Sequence, residues 1–414
     1  MSGTLSPFLG NLSFLRLLDL SDLKVLKGQV PPEFGKLSHL TYLFLDSNKL
    51  SGSMPVTFPY LVRLKRLFLN DNFLSGSVAS PIFGSLFSLS ELGLSGNKFS
   101  GSVPASIGKL RLVSKLDLHD NSFSGSIPNT LGQLPPQLAK LKRLQSLDLS
   151  FNPLGLVTIP RWFQKLDLFG LILANTGIKG QLPNWLSSSF ISTLDLSSNE
   201  LSGRLPSWIG NVTNLAFLNL SSNGFYSSIP GQFKNLSLLM DLDLHSNKLS
   251  GNMNLIFSKN VQDPLGHFHS IDLSHNMFSR PIENKVGQEP TLASIVSFVL
   301  SHNPLGGNIP KSIGQLSELQ VLQLVGNGSS GGIPEEIANA KGLKAILLSK
   351  NRLSGTIPDK VLSLKDLDDF DVSGNQLSGS IPPHKANIPV SAFLENPDLC
   401  GPPLPPCKPS RYSF

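Results

Sequence analysis

Between residues 196 and 223 the chain reads LSSNELSGRLPSWIGNVTNLAFLNLSSN, so Leu-Ser-Ser-Asn returns after 24 residues. The asparagine of this phrase is a ruler. It falls at Asn48, Asn72, Asn97, Asn121, Asn152, Asn175, Asn199, Asn223, Asn247, Asn276, Asn303, Asn327, Asn351 and Asn375. A degenerate copy, LLDLSDLKVLKGQVP, places Asp22 near the same position and makes about fifteen copies. Most steps are 23 to 25 residues; those ending at Asn152, Asn276 and Asn303 are 31, 29 and 27. Length alone would divide 414 residues into several domains, but a repeat lets a single array run to any length.

The spelling has a physical reading. In LxL the two leucines point to one face of a short strand and the residue between them to the other. One such strand cannot bury its leucines alone, whereas stacked copies form a parallel sheet over a continuous core. The asparagine turns the chain out of the strand, and its amide can donate and accept, so a buried ladder of bonded asparagines is expected. The second half of each copy reads LSGxIPxxIGxL. Glycine there permits a backbone angle closed to other residues and proline fixes φ without a donor, which suits a tight, irregular outer side. Trp162, Trp185 and Trp208 follow the IP or LP of their copies and are expected to pack on that side.

The phrase LSGxIPxxIGxLxxLxxLxLSxN closely resembles the plant-type leucine-rich repeat of extracellular proteins: receptor kinases, receptor-like proteins without kinases, and inhibitors of pectin-degrading enzymes. The resemblance implies a solenoid over residues 1–382, with a curved parallel β-sheet on the concave side, an irregular or 3-10 convex side, and irregular repeats at about 251–298. Residues 383–414 then form a C-terminal cap and tail. Cys400 and Cys407 are the only cysteines, close enough to act as a local staple. NPDLCGPPLPPC, residues 396–407, resembles the family's C-terminal cap and implies that the two pair, in an oxidising compartment. The family's leader, cysteine-bearing N-terminal cap, membrane helix and kinase motifs are not found. SGTLSPFLGNLSFL, residues 2–15, resembles the first repeat after that cap, so either a kinase-less product or a fragment is expected.

Function is expected on the concave face. The residue between the leucines is Asp in seven copies: Asp19, Asp117, Asp148, Asp195, Asp243, Asp272 and Asp371. Neighbouring side chains there stand about 4.8 Å apart, so some of these carboxylates should be shifted or paired. Tyr42, Phe44, Arg66 and Phe68 form an aromatic patch with one arginine, the composition of an interface hot spot; Phe217 with Asn219 is a smaller version. The resemblance adds a peptide or protein ligand, and a co-receptor kinase at the last four repeats. It implies an extracellular or plasma-membrane location and roles in signalling or defence.

Other chemistry is not expected. His119 and His245 are equivalent and five copies apart, about 24 Å, and cannot share an ion; His267 and His269 lack supporting ligands. No catalytic constellation can be assembled from residues scattered along a rod, so neither an enzyme nor a cofactor is expected. The net charge of +6 is dispersed. It allows attraction to an acidic cell-wall polysaccharide but shows no nucleic-acid module. Acceptor patterns for glycosylation occur at Asn11, Asn211, Asn235 and Asn219, and at Asn327, which the ladder should bury. The leading reading is a non-catalytic recognition ectodomain that needs a partner kinase to signal. The alternative is a secreted inhibitor of pectin-degrading enzymes or a wall-associated binding protein.

Overall fold

The computed structural model of the chain describes residues 3–78, 81–124, 134–261, 265–385 and 388–407. It comprises two compact units, Met1–Leu201 and Ser202–Phe414. The extra length of the Asn121–Asn152 step falls largely on residues 125–133, outside those described.

The first unit carries eight three-residue strands, one per repeat: β1 (Leu17–Asp19), β2 (Tyr42–Phe44), β3 (Arg66–Phe68), β4 (Glu91–Gly93), β5 (Lys115–Asp117), β6 (Ser146–Asp148), β7 (Gly170–Ile172) and β8 (Thr193–Asp195). The second carries seven: β9 (Phe217–Asn219), β10 (Asp241–Asp243), β11 (Ser270–Asp272), β12 (Ser297–Val299), β13 (Val321–Gln323), β14 (Ala345–Leu347) and β15 (Asp369–Asp371). Within each unit successive strands pair in parallel with no slip, so equivalent residues stand side by side. The central residue of each strand is buried, as are most of the leucines that follow. Each fully buried leucine is worth about 1.5–3 kcal/mol, so the apolar stack is the main driving force. The fold is a leucine-rich repeat solenoid.

The asparagines close the turn. Asn247 is representative: its Nδ2 donates to the carbonyls of Leu220, Leu244 and His245 at 3.0, 3.1 and 3.2 Å, and its Oδ1 accepts the Phe225 N–H at 3.0 Å. The residue before each ladder position has positive φ, between 48° at Asp120 and 66° at Gly326. Only three of these sixteen positions, counted from Asp22 to Glu395, are glycine: Gly96, Gly326 and Gly374. The turn thus forces serine, aspartate, histidine, lysine and even Phe151 into the left-handed region.

Three details depart from the sequence reading. Asn175 is not a ladder residue: it occupies the left-handed position, φ 51°, and is exposed. Thr176 takes the buried place, its Oγ1 donating to the Leu173 carbonyl at 2.8 Å. Conversely, Asn396 is a ladder asparagine that the spelling did not reveal. Its Nδ2 donates to Val372, Phe393 and Leu394 carbonyls, its Oδ1 accepts the Leu377 N–H, and Glu395 before it has φ 59°. Lastly, the LSG segment is not merely irregular. It forms a second parallel ladder, as in Ser51↔Phe73 and Gly52↔Leu74, and Ser354↔Gln376 and Gly355↔Leu377. Its glycines release the chain from this ladder with φ near 80°, for example 82° at Gly52 and 79° at Gly355.

The outer side consists mainly of 3-10 turns that start after proline, such as Pro32–Lys36, Ala105–Lys109 and Lys311–Gln315, each burying an apolar residue (Phe34, Ile107, Ile313). Trp162, Trp185 and Trp208 lie half-buried in such turns. At the C-terminal side, Asp398–Cys400 pairs with Gln376–Ser380, and a disulfide joins Cys400 to Cys407 with 4.9 Å between Cα atoms. Phe393 is fully buried against Phe370.

Replacing Asn247 by alanine should orphan the Phe225 N–H and three carbonyls, at a cost of about 2–3 kcal/mol. Hydrogen exchange at the Phe225 amide should accelerate accordingly. Asn175→Gly should stay within about 0.5 kcal/mol of the parent in chemical denaturation, because it is exposed and glycine accepts positive φ.

Candidate functional site

Three rows of side chains stand out from the strands, at alternate residues. The central row holds Phe44, Phe68, Asp117, Asp148, Asp195, Asn219, Asp243 and Asp272. The preceding row holds Tyr42, Arg66 and Phe217, and the following row holds Asp46, Asn70, His119 and His245.

The aromatic patch assembles as its spacing implied. Tyr42 lies beside Arg66 and Phe44 beside Phe68 in register. The Phe44 and Phe68 rings stack at 5.3 Å between centroids, and Tyr42 meets Phe44 at 6.1 Å. Arg66 reaches Glu91 on β4, 2.9 Å from nitrogen to oxygen. Gly93 makes room for the patch: a Cβ there would stand 2.7 Å from Asn70 Nδ2 and 3.0 Å from Phe68 Cδ1.

Alongside the rings runs a polar line that the sequence reading missed. Asn70 donates to Asp46 Oδ1 through both its backbone N–H and its Nδ2, at 2.9 and 2.7 Å, and the Ser95 hydroxyl donates to Asn70 Oδ1 at 2.8 Å. Burial holds the Asp46 carboxyl above its ordinary pKa, partly offset by the bonds from Asn70. The signal was available, since these residues lie two positions after the centre of LxL and share its face.

The acidic row is not a continuous stripe. Within the first unit Asp117 has Gly93 on one side and Asp148 on the other; within the second Asp243 stands beside Asp272, which is followed by Val299. The carboxylates therefore meet only in pairs, and each pair has a histidine. His119 Nδ1 lies 2.7 Å from Asp117 Oδ1 and 3.6 Å from Asp148 Oδ2. His245 Nδ1 lies 2.7 Å from Asp243 Oδ1, with Asp272 completing the group. The hydrogen bond that the His119 ring donates to Asp117 chiefly raises the His119 pKa; burial raises those of Asp148 and Asp243. Asp195 stands apart from these groups and accepts the Ser197 N–H. Asn219 Oδ1 accepts from the Ser221 N–H and hydroxyl beside Phe217.

The irregular repeats do not gather a site from His267 and His269, which turn to the Pro290 carbonyl and to Asp241. They contain instead a buried lysine. Lys259 is 5% exposed, donates to the carbonyls of Leu239 and Gly266, and lies over the Phe268 ring at 4.0 Å. Burial lowers its pKa to about 7. Of the glycosylation candidates, Asn11, Asn211 and Asn235 are exposed at the ends of 3-10 turns, Asn219 is half-buried, and Asn327 is 1% exposed. No helix among the described residues is long and apolar enough to cross a membrane.

Family models place these features. The leucine-rich repeat region model matches residues 4–195, and the single leucine-rich repeat model matches 190–212, 214–236 and 294–316. The chain belongs to the leucine-rich repeat family, and solved structures it is similar to include ectodomains of plant receptor kinases. One is the GASSHO1/SCHENGEN3 ectodomain of Arabidopsis thaliana in complex with CASPARIAN STRIP INTEGRITY FACTOR 2, at 31% identity and TM-score 0.78, covering 98% of this chain and 50% of that one. Another is the Arabidopsis receptor kinase HAESA with the peptide hormone IDA and the co-receptor SERK1, at 29% identity and TM-score 0.65, covering 97% and 72%. The Leptospira interrogans protein LIC12759 is also similar, at 28% identity and TM-score 0.69, covering 91% and 88%. The chain thus spans half the length of the GASSHO1 ectodomain. No curated protein sequence matches it.

Lys259 gives the site region a pH signature. Between pH 7 and 10.5 the unfolded chain binds the proton that the folded chain has released, so stability should rise with pH through this window, by at most about 1.4 kcal/mol per unit. Below pH 7 the contribution should be flat. Lys259→Met should remove the slope between pH 7 and 9 in urea denaturation, and an unchanged slope would show that the lysine stays charged throughout.

Proposed function

We propose that the chain is the recognition ectodomain of a plant cell-surface receptor-like protein, which binds a peptide or protein ligand on its exposed strand face. The observation that carries this reading is the outward aromatic patch: Phe44 stacked on Phe68, flanked by Tyr42 and by an arginine already steered by Glu91. Rings held against one another lose little freedom on binding, and aromatic and arginine side chains dominate interface energetics. The Arabidopsis complexes with a peptide hormone or with CASPARIAN STRIP INTEGRITY FACTOR 2 support a ligand of the same kind here.

Signalling would pass to a partner kinase. The HAESA complex includes the co-receptor SERK1, which favours a co-receptor surface on the last four repeats, residues 297–375. Glycans at Asn11, Asn211 and Asn235 fit a secreted or surface-anchored protein. Their side chains are exposed, whereas the Ser221 hydroxyl of the Asn219 pattern is already bonded to Asn219 itself. The second reading is a secreted inhibitor of pectin-degrading enzymes or a wall-bound protein. The net charge of +6 favours contact with an acidic polysaccharide.

The test is a binding screen of the purified chain against a library of short synthetic peptides, with pectin and a pectin-degrading enzyme in parallel. A peptide that binds the parent should bind the Phe44→Ala, Phe68→Ala double variant at least about 2 kcal/mol more weakly, with the fold intact by circular dichroism. No peptide binding together with inhibition of the enzyme would replace the receptor reading with the inhibitor reading.

A further inference from the structure

The two histidines compared at the sequence level belong to two separate ligand sets. In the first unit Asp117 on β5, Asp148 on β6 and His119 converge; in the second, Asp243 on β10, Asp272 on β11 and His245 do the same. In each set the histidine nitrogen and both carboxylate oxygens lie within 4.8 Å of one another. We propose that each set is a binding site for a divalent transition-metal ion of the zinc type, giving the chain two such sites on its strand face.

Geometry supports this before chemistry does. Zinc bonds to nitrogen and oxygen are about 2.0–2.2 Å, so ligand atoms around one ion stand about 3.0–3.5 Å apart. The first set already spans 2.7 Å from His119 Nδ1 to Asp117 Oδ1 and 3.6 Å to Asp148 Oδ2. Rotations of side chains that are partly exposed suffice to seat an ion among them. The second carboxylate of each set is also aimed from behind. Asp148 Oδ1 accepts the Ser150 N–H at 2.9 Å and its hydroxyl at 2.6 Å, which leaves Oδ2 facing His119. Asp272 Oδ1 is held identically by Ser274, at 2.9 and 2.6 Å. These outer bonds, which Ser221 also makes to Asn219 outside either set, orient one carboxylate oxygen and leave the other available to a metal.

Charge points the same way. Each set places two carboxylates on adjacent strands in register with no lysine or arginine paired to them among the described residues. A dication neutralises the pair more fully than a proton on the histidine does. The imidazole favours zinc and its transition-metal neighbours over calcium and magnesium, which prefer oxygen alone. The sets are duplicated with the same residue types at the same repeat positions, whereas the other strands with a central Asp lack the histidine: Ser21, Ser197 and Ser373 stand in its place beside Asp19, Asp195 and Asp371. Three protein donors leave a coordination position open toward solvent.

The experiment is calorimetric titration of the purified, chelator-treated chain with zinc chloride, repeated with cobalt to read visible absorption of the bound ion. The parent should take two equivalents. His119→Gln and His245→Gln should each lose one, and the double variant both, with any residual binding weakened at least tenfold. His267→Gln with His269→Gln should retain two. Thermal melting checks that each variant is folded; should a histidine variant melt early, Asp148→Asn and Asp272→Asn serve in its place. A parent that takes up no zinc overturns the proposal, as does a folded double variant that still binds two equivalents, since histidine then serves only to hydrogen-bond the carboxylates.

Discussion

The structure depends on one repeated turn, in which a side-chain amide replaces the backbone partners that a strand loses when its chain bends away. Each repeat ends its strand with a residue near φ 50–60°, a conformation that costs most side chains about 1–2 kcal/mol. The chain accepts this at Lys350 and Phe151 because the next residue, an asparagine, satisfies carbonyls of its own coil and of the coil before it. The same amide oxygen accepts an N–H from the preceding repeat, such as Leu249 to Asn276. Strand exit, turn and stacking are therefore one interaction. The first repeat departs from this: Leu23 occupies the ladder place and is 47% exposed, and the Val25 N–H, which the pattern would direct to Asn48 Oδ1, bonds the Leu23 carbonyl at 2.7 Å instead.

Much of this was legible because the repeat writes the core in a fixed spelling. Strand positions and the tight outer turns follow from residues read in one register, whereas the pairing of Cys400 with Cys407 was implied by the resemblance of the segment around them to a family cap. The exceptions have physical causes. Thr176 escaped notice because a hydroxyl can donate to the Leu173 carbonyl as an amide does, and the visible Asn175 one position earlier is a residue that tolerates positive φ. Asn396 escaped because its coil has no LxL strand: the backbone of residues 392–395 instead accepts from Val372, Gly374 and Asn375. The LSG ladder escaped because a two- or three-residue strand is specified by its neighbours rather than by its own propensity.

The exposed face was less legible, for a different reason. Register places residues about 24 positions apart side by side, so a surface group is assembled from letters that no local window contains. Phe44 with Phe68 could be found by counting repeats. Asp148 with His119 required two steps at once, across to the next strand and along to the next outward position.

The two kinds of cluster on that face differ in what holds them. The aromatic patch rests on apolar contact and on space left by Gly93, so its rings are fixed but chemically inert. The Asp–His–Asp sets rest on hydrogen bonds, from serine to Asp148 and Asp272 and from the histidines to Asp117 and Asp243, which orient polar atoms. An array whose core is much the same from coil to coil thus carries its individuality in the three outward rows. There a change of one residue alters what can dock while the asparagine turn beneath it stays the same.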